Sequence, residues 1–149
     1  MNLPTIAFTQ ETLTHFDDVI DKEWLITNGL GGYASSTVLG INTRKYHGLL
    51  VGALHPPGDR TVCLSKLDEE VFVGNGVYQL GANEFRGVLY PQGYRLIRGF
   101  SISPFPTYIY GAGSVDVVKT ICVPKNKNAV SVFYKVCLLY TSPSPRDCS

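Results

Sequence analysis

Long hydrophobic runs, clustered basic charge and metal-ligand spacing are all missing from this chain, and each absence removes a class of function. No stretch of about 18 consecutive apolar residues occurs, so no transmembrane helix is expected. The opening residues, MNLPTIAFTQET, have neither a basic flank nor an apolar h-region and do not read as a secretory signal. Lys and Arg number 13 against 12 Asp and Glu, a net charge of +1 without a basic run. A nucleic-acid surface needs clustered cations to release phosphate counterions, and none are grouped here. The expectation is a soluble, cytoplasmic chain with neither a nucleic-acid nor a membrane partner. Three histidines without clustered cysteines or carboxylates make no recognisable metal site. Cysteine is equally sparse: Cys63 and Cys122 each lie inside an apolar β-like run, where free buried thiols are common.

No cofactor motif is present either. Asn28-Gly29-Leu30-Gly31-Gly32 spaces its glycines as an anion-cradling loop does, but it lacks the Lys-Ser/Thr of a P-loop and the full dinucleotide spacing. The next residues, Tyr33 to Val38, read as a strand. A sharp glycine turn that brings the backbone and Asn28 close to a bulky ligand or partner domain is therefore expected.

The chain is rich instead in period-two alternation of Val, Ile, Tyr, Phe and Thr, broken by Gly, Pro and Asn. Strands are expected at Glu23–Thr27, Tyr33–Gly40, Gly48–Ala53, Thr61–Leu67, Glu69–Val73, Val77–Leu80, Arg95–Ser103, Thr107–Tyr110, Ser114–Val123 and Ala129–Val136. Gly74-Asn75-Gly76 and Lys125–Asn128 supply tight turns. The only helical stretch expected is short, Thr9–Asp21. Short strands at this spacing predict an all-β, antiparallel β-sandwich of the supersandwich type. The segment Cys137 to Asp147, CLLYTSPSPRD, breaks the pattern and matches codon for codon the in-frame translation of a common transposase sequencing adaptor. Residues 137–149 are accordingly read as a disordered artefact and 1–136 as one domain, with its natural continuation missing and some apolar surface left uncovered. The alternative is a genuine Ser/Pro-rich linker.

Polar and apolar residues interleave most densely between Glu23 and Val51. In Asn42-Thr43-Arg44-Lys45-Tyr46-His47-Gly48, an extended backbone puts Arg44 and Tyr46 on one face and Lys45 and His47 on the other. A guanidinium fork beside a flat ring suits sugar hydroxyls and the apolar face of glucose. Equally, Arg44 can pair with Asp68 or Glu69 and His47 can be a satisfied core histidine. Trp24, the single tryptophan, fits a sandwich core better than a sugar platform. The aromatics Tyr90, Tyr94, Phe100, Phe105, Tyr108 and Tyr110 also read first as core. Asp17-Asp18, Asp21, Glu23 and Asp68-Glu69-Glu70 form no convincing pair of opposed carboxyls, and Asp68 to Glu70 reads as a solvated hairpin edge.

The order NGLGGYASSTVLGINTRKYHGLLV, continued by PPGDRTVCLSKLDEEV and more loosely to about Val136, resembles the N-terminal domain of the archaeal and bacterial type of glycogen debranching enzyme, the amylo-α-1,6-glucosidase group. The resemblance implies a β-sandwich packed on an (α/α)6 barrel that carries the catalytic carboxylates and hydrolyses the α-1,6-linked glucose of glycogen branch points. In some members a glucanotransferase activity accompanies this. The barrel would lie beyond Val136, so no catalytic residue is carried over. Asn28, Gly29, Arg44, Tyr46 and His47, with Trp24, are the candidates for the face that meets the barrel and borders its glucan cleft. Two other readings remain: a stand-alone α-glucan-binding module, and a structural sandwich of another sugar-processing enzyme.

Overall fold

The computed structural model describes residues 6–85, 87–102 and 104–138. Strand β1 (Ile6–Thr9) leads through two single-turn helices, α1 (Gln10–Leu13) and α2 (Phe16–Val19), into β2 (Glu23–Thr27), β3 (Tyr33–Thr37), β4 (Gly48–His55) and β5 (Gly58–Leu64). Two hairpins come next, β6 (Glu70–Val73) with β7 (Gly76–Gln79) and β8 (Ala82–Phe85) with β9 (Val88–Gln92). A 3-10 turn at Gly93–Leu96 then enters β10 (Ile97–Ile102), β11 (Pro106–Ala112), β12 (Val115–Cys122) and β13 (Ser131–Leu138). The main strands pair antiparallel, in a five-stranded sheet ordered β1-β10-β11-β12-β13 and a four-stranded sheet ordered β2-β3-β4-β5. The expected all-β sandwich is what the chain forms.

Alternation explains why the two sheets face each other. Along β11 and β12, Pro106, Tyr108, Tyr110 and Ala112, then Val115, Val117, Lys119 and Ile121, are buried while their neighbours are half-exposed. From the opposite sheet Trp24, Ala34 and Leu49 join the same core. Trp24 Nε1 donates to Tyr108 Oη at 2.7 Å, and Tyr108 Oη donates to the Thr37 carbonyl at 2.5 Å. This chain lets two large rings be buried with their polar atoms satisfied, each ring contributing roughly 2–3 kcal/mol of apolar burial.

Several boundaries depart from the sequence expectation for identifiable reasons. β3 stops at Thr37 because Thr37 Oγ1 accepts from Ile41 N at 3.0 Å and donates to Ile41 O at 2.8 Å, closing a turn over Val38–Gly40. β13 runs two residues past Val136: Cys137 and Leu138 keep the ladder going opposite Asp116 and Val115, and Cys137 is buried. The rest of the stretch read as an artefact, 139–149, lies outside the described residues. β1 and the hairpin β8–β9 were not expected, since strands of only four or five residues, in the hairpin interrupted by Asn83, Glu84 and Pro91, show little alternation in sequence. Cys63 and Cys122 are free thiols, and Cys63 is exposed rather than buried. No helix of the described residues is long and apolar enough to cross a membrane.

Candidate functional site

The register of the four-stranded sheet decides which side chains face away from the core. Leu25 pairs with Ser35, Thr27 with Tyr33, Tyr33 with Val51, and Val51 with Val62, so all six share the outer face. There they floor an open cleft of about 900 Å³. One rim is the Arg44–His47 loop, and the other runs from Gly29 to Arg60.

Residues 44–46 form a bend and turn, so the extended alternation expected of Arg44 to His47 does not occur. The loop is instead folded around His47, which is buried. Its Nδ1 accepts from the backbone N–H of Thr43 at 3.0 Å and of Arg44 at 3.2 Å. A ring nitrogen that accepts carries no proton, so the hydrogen-bond network assigns the proton to Nε2. Nε2 lies 3.0 Å from Glu23 Oε1 but off the hydrogen-bond line, which makes the contact electrostatic. Glu23 also receives Arg44 Nη1 at 3.2 Å on its other oxygen. The partner of Arg44 is thus Glu23, neither Asp68 nor Glu69. Tyr33 Oη donates to the Tyr46 carbonyl at 2.9 Å, and Lys45 Nζ sits 5.9 Å from the Tyr46 ring centre. The loop is pinned at its base while the Tyr46 ring and the Arg44 side chain stay about two-thirds exposed, at 65% and 66%.

Asn28 and Trp24 do not join this surface. Asn28 is completely buried, and all its side-chain positions are spent. Oδ1 accepts from Leu30 N at 2.8 Å and Gly32 N at 3.0 Å, while Nδ2 donates to Lys127 O and Asn128 Oδ1, both at 3.0 Å. It is the latch that joins the glycine turn to the β12–β13 loop, with nothing left for a ligand. Trp24 points into the core. Gly29 does border the cleft, at φ +82°, and Gly31 shows why the turn needs glycine: at φ +93° a Cβ would stand 2.5 Å from the Pro57 carbonyl oxygen.

A second polar group escaped the sequence reading. Lys119 faces the core and its Nζ lies 2.6 Å from Glu69 Oε2, which also accepts from Tyr134 Oη. Glu69 is therefore no solvated edge. The available signal was Lys119 itself, in phase with the buried Val115, Val117 and Ile121. Around this pair the phenols of Tyr108 and Tyr110 are pushed well up, first by burial and further by the Glu69 charge. Burial, then Glu69, does the same to Tyr134. A raised native value means the native state holds its proton after the unfolded chain, with an ordinary phenol near pH 10, has released it. Stability is thus intact below about pH 10 and is lost above it, by ~1.4 kcal/mol per pH unit for each fully buried phenol. Urea unfolding between about pH 9 and 11 is expected to show this slope, shallower by one tyrosine's share in Tyr110→Phe.

The cleft has a single carboxylate, Glu23, already held by Arg44 and His47, and no group of three or more potential metal ligands occurs among the described residues. Glycosidic hydrolysis needs two opposed carboxyls. The class this geometry defines is an antiparallel β-sandwich with an open cleft on the outer face of its four-stranded sheet. The chain belongs to the family described as glycogen debranching enzyme N terminal, whose model matches residues 22–145, past the boundary expected at Val136. No curated protein and no solved structure gives a significant match.

Proposed function

We propose that this chain is the non-catalytic N-terminal domain of an enzyme that hydrolyses the α-1,6-glucosidic branch linkages of glycogen, and that its outer-face cleft packs on and borders the glucan cleft of a helical catalytic domain. The observation that carries this reading is the exposed Arg44–Tyr46 rim, held rigidly from below by Glu23 and His47 beside an apolar floor. A cation fork and an aromatic ring presented together, without a carboxyl pair, suit holding a glucan and not cleaving it.

The test uses phosphorylase limit dextrin. The chain alone releases no glucose. In a debranching enzyme carrying this domain, Arg44→Ala with Tyr46→Ala raises KM about 5–30-fold, the equivalent of ~1–2 kcal/mol of binding, and leaves kcat nearly unchanged. Glucose release by the chain alone, or an unaltered KM in the double variant, would sink the proposal. A stand-alone glucan module predicts instead that maltoheptaose binds this chain in calorimetry. Trp24 fluorescence is a poor reporter there, because the ring is in the core.

A further inference from the structure

Among the described residues each main sheet ends in two edge strands, where half of the backbone N–H and C=O groups point away from the ladder. Folded proteins blunt such edges by shortness, charge, proline or bulges. Three of the four edges are blunted here. β1 has only four residues. β2 has five and opens on Glu23, whose carboxylate holds Arg44 and His47. β5 carries Asp59 and Arg60, and its register with β4 shifts between Leu50 and Val51. β13 has none of these devices: it is eight residues long, without glycine or proline, in unbroken register with β12, and Lys135 is its one charge.

Its side chains are apolar on both faces. Val132, Tyr134, Val136 and Leu138 lie opposite Ile121, Lys119, Val117 and Val115 and so continue the core-facing side of the sheet, yet Tyr134, Val136 and Leu138 are exposed, Val136 at 61%. There Tyr134 and Val136 border an open groove of about 430 Å³ that Val71 and Phe72 of β6 also line. On the other face Phe133 is 59% exposed, two residues from Lys135. A long, regular, apolar edge is a template for another strand. The occupant has to match its length, be apolar on both faces and set no cation against Lys135, and β13 of a second copy does all three. In antiparallel self-pairing the two-fold axis stands normal to the sheet and opposed side chains share a face, so the axis passes through a residue and not between two. Axes at Tyr134 or Lys135 give the longest ladders, residues 131–137 or 132–138. The second sets Lys135 against Lys135, which like-charge repulsion disfavours. The first sets Tyr134 against Tyr134, Val132 against Val136, and Phe133 against Lys135 twice, each lysine stem lying along the other copy's ring.

We propose that β13 is a homodimerisation edge: two copies of this chain pair antiparallel about Tyr134 and join their five-stranded sheets into one continuous sheet. This goes beyond the proposed function and does not rest on it, since no residue of β13 lines the outer-face cleft. Isologous pairing closes at two copies, and a ladder of this length makes an interface at the small end of the specific range, below about 1,200 Å², so the dimer is expected to dissociate at micromolar concentration.

Sedimentation equilibrium of this chain between about 1 and 200 µM tests the pairing. The mass is expected to rise with concentration from 16.4 kDa to twice that value and no further. Phe133→Lys, an exposed change that preserves the circular dichroism spectrum, sets two like-charged pairs across the axis and weakens the dimer about tenfold or more. Adding Lys135→Glu turns both pairs into opposite charges and brings the dissociation constant back to within about threefold of its original value. A chain that stays at 16.4 kDa over the whole range, assemblies that grow past two copies, or a dimer indifferent to Phe133→Lys would overturn the proposal. A loss that Lys135→Glu does not recover would overturn it as well, because pairing about Tyr134 is what brings residues 133 and 135 opposite each other.

Discussion

Asn28→Ala is expected to lower the stability of this domain by about 3 kcal/mol, measured as a fall in the urea midpoint at unchanged slope. The residue makes four side-chain hydrogen bonds and its truncation leaves two backbone donors, Leu30 N and Gly32 N, without their acceptor. On the other side it frees the Lys127 carbonyl and Asn128, whose own amide bridges to Ala53 of β4 at 3.0 Å. Each lost bond is worth roughly 1 kcal/mol, and the most buried donor, Gly32 N, costs more when orphaned. Arg44→Ala is the contrasting variant: its ion pair with Glu23 is exposed and should cost less than ~1 kcal/mol. If Asn28→Ala were as mild as Arg44→Ala, the latch would be wrong and a ligand role for Asn28 would return.

The same contrast shows how far the sequence could be read. Alternation places β2, β11 and β12 within a few residues because each buries one face, and burial enforces period two, whereas β4 is buried on successive residues and β13 is largely exposed. It says nothing about which polar residue in a dense cluster turns inward. Asn28 and Arg44 look equivalent in NGLGGYASSTVLGINTR, yet one is fully buried and the other exposed. The difference is made by Asn126–Asn128, about a hundred residues away, which close over the glycine turn. Glu23 was likewise hidden: as the first residue of β2 it has an exposed position in the alternation, and only the return of the chain at His47 turns it into the anchor of the Arg44–Tyr46 rim. The apolar floor was half legible. Leu25, Val51 and Val62 are ordinary strand residues until the register brings them to one outward face together.

Lys119→Met is expected to cost about 3 kcal/mol, and adding Glu69→Gln should recover most of that loss. Both charges are largely shielded, with side chains 8% and 15% exposed, so removing one leaves the other without a counter-charge against buried phenols. Breaking a buried pair from one side typically costs ~3–5 kcal/mol, and the residual exposure of Glu69 places this case at the lower end. The amide introduced by Glu69→Gln keeps an acceptor for Tyr134 Oη while removing the charge, so the double variant exchanges an ion pair for a neutral, packed contact. The recovery separates a lost pair from a lost side chain: if Met simply packs badly on β12, the double variant stays as unstable as the single one. Glu69→Gln also has an alkaline signature. The Glu69 charge adds to burial in holding up the phenols of Tyr108, Tyr110 and Tyr134, so its removal lets them ionise at lower pH and narrows the alkaline range over which native stability is lost. Titration of tyrosinate absorbance in the near ultraviolet on the folded variant reads this directly, and an unshifted titration would show that burial alone keeps these rings neutral.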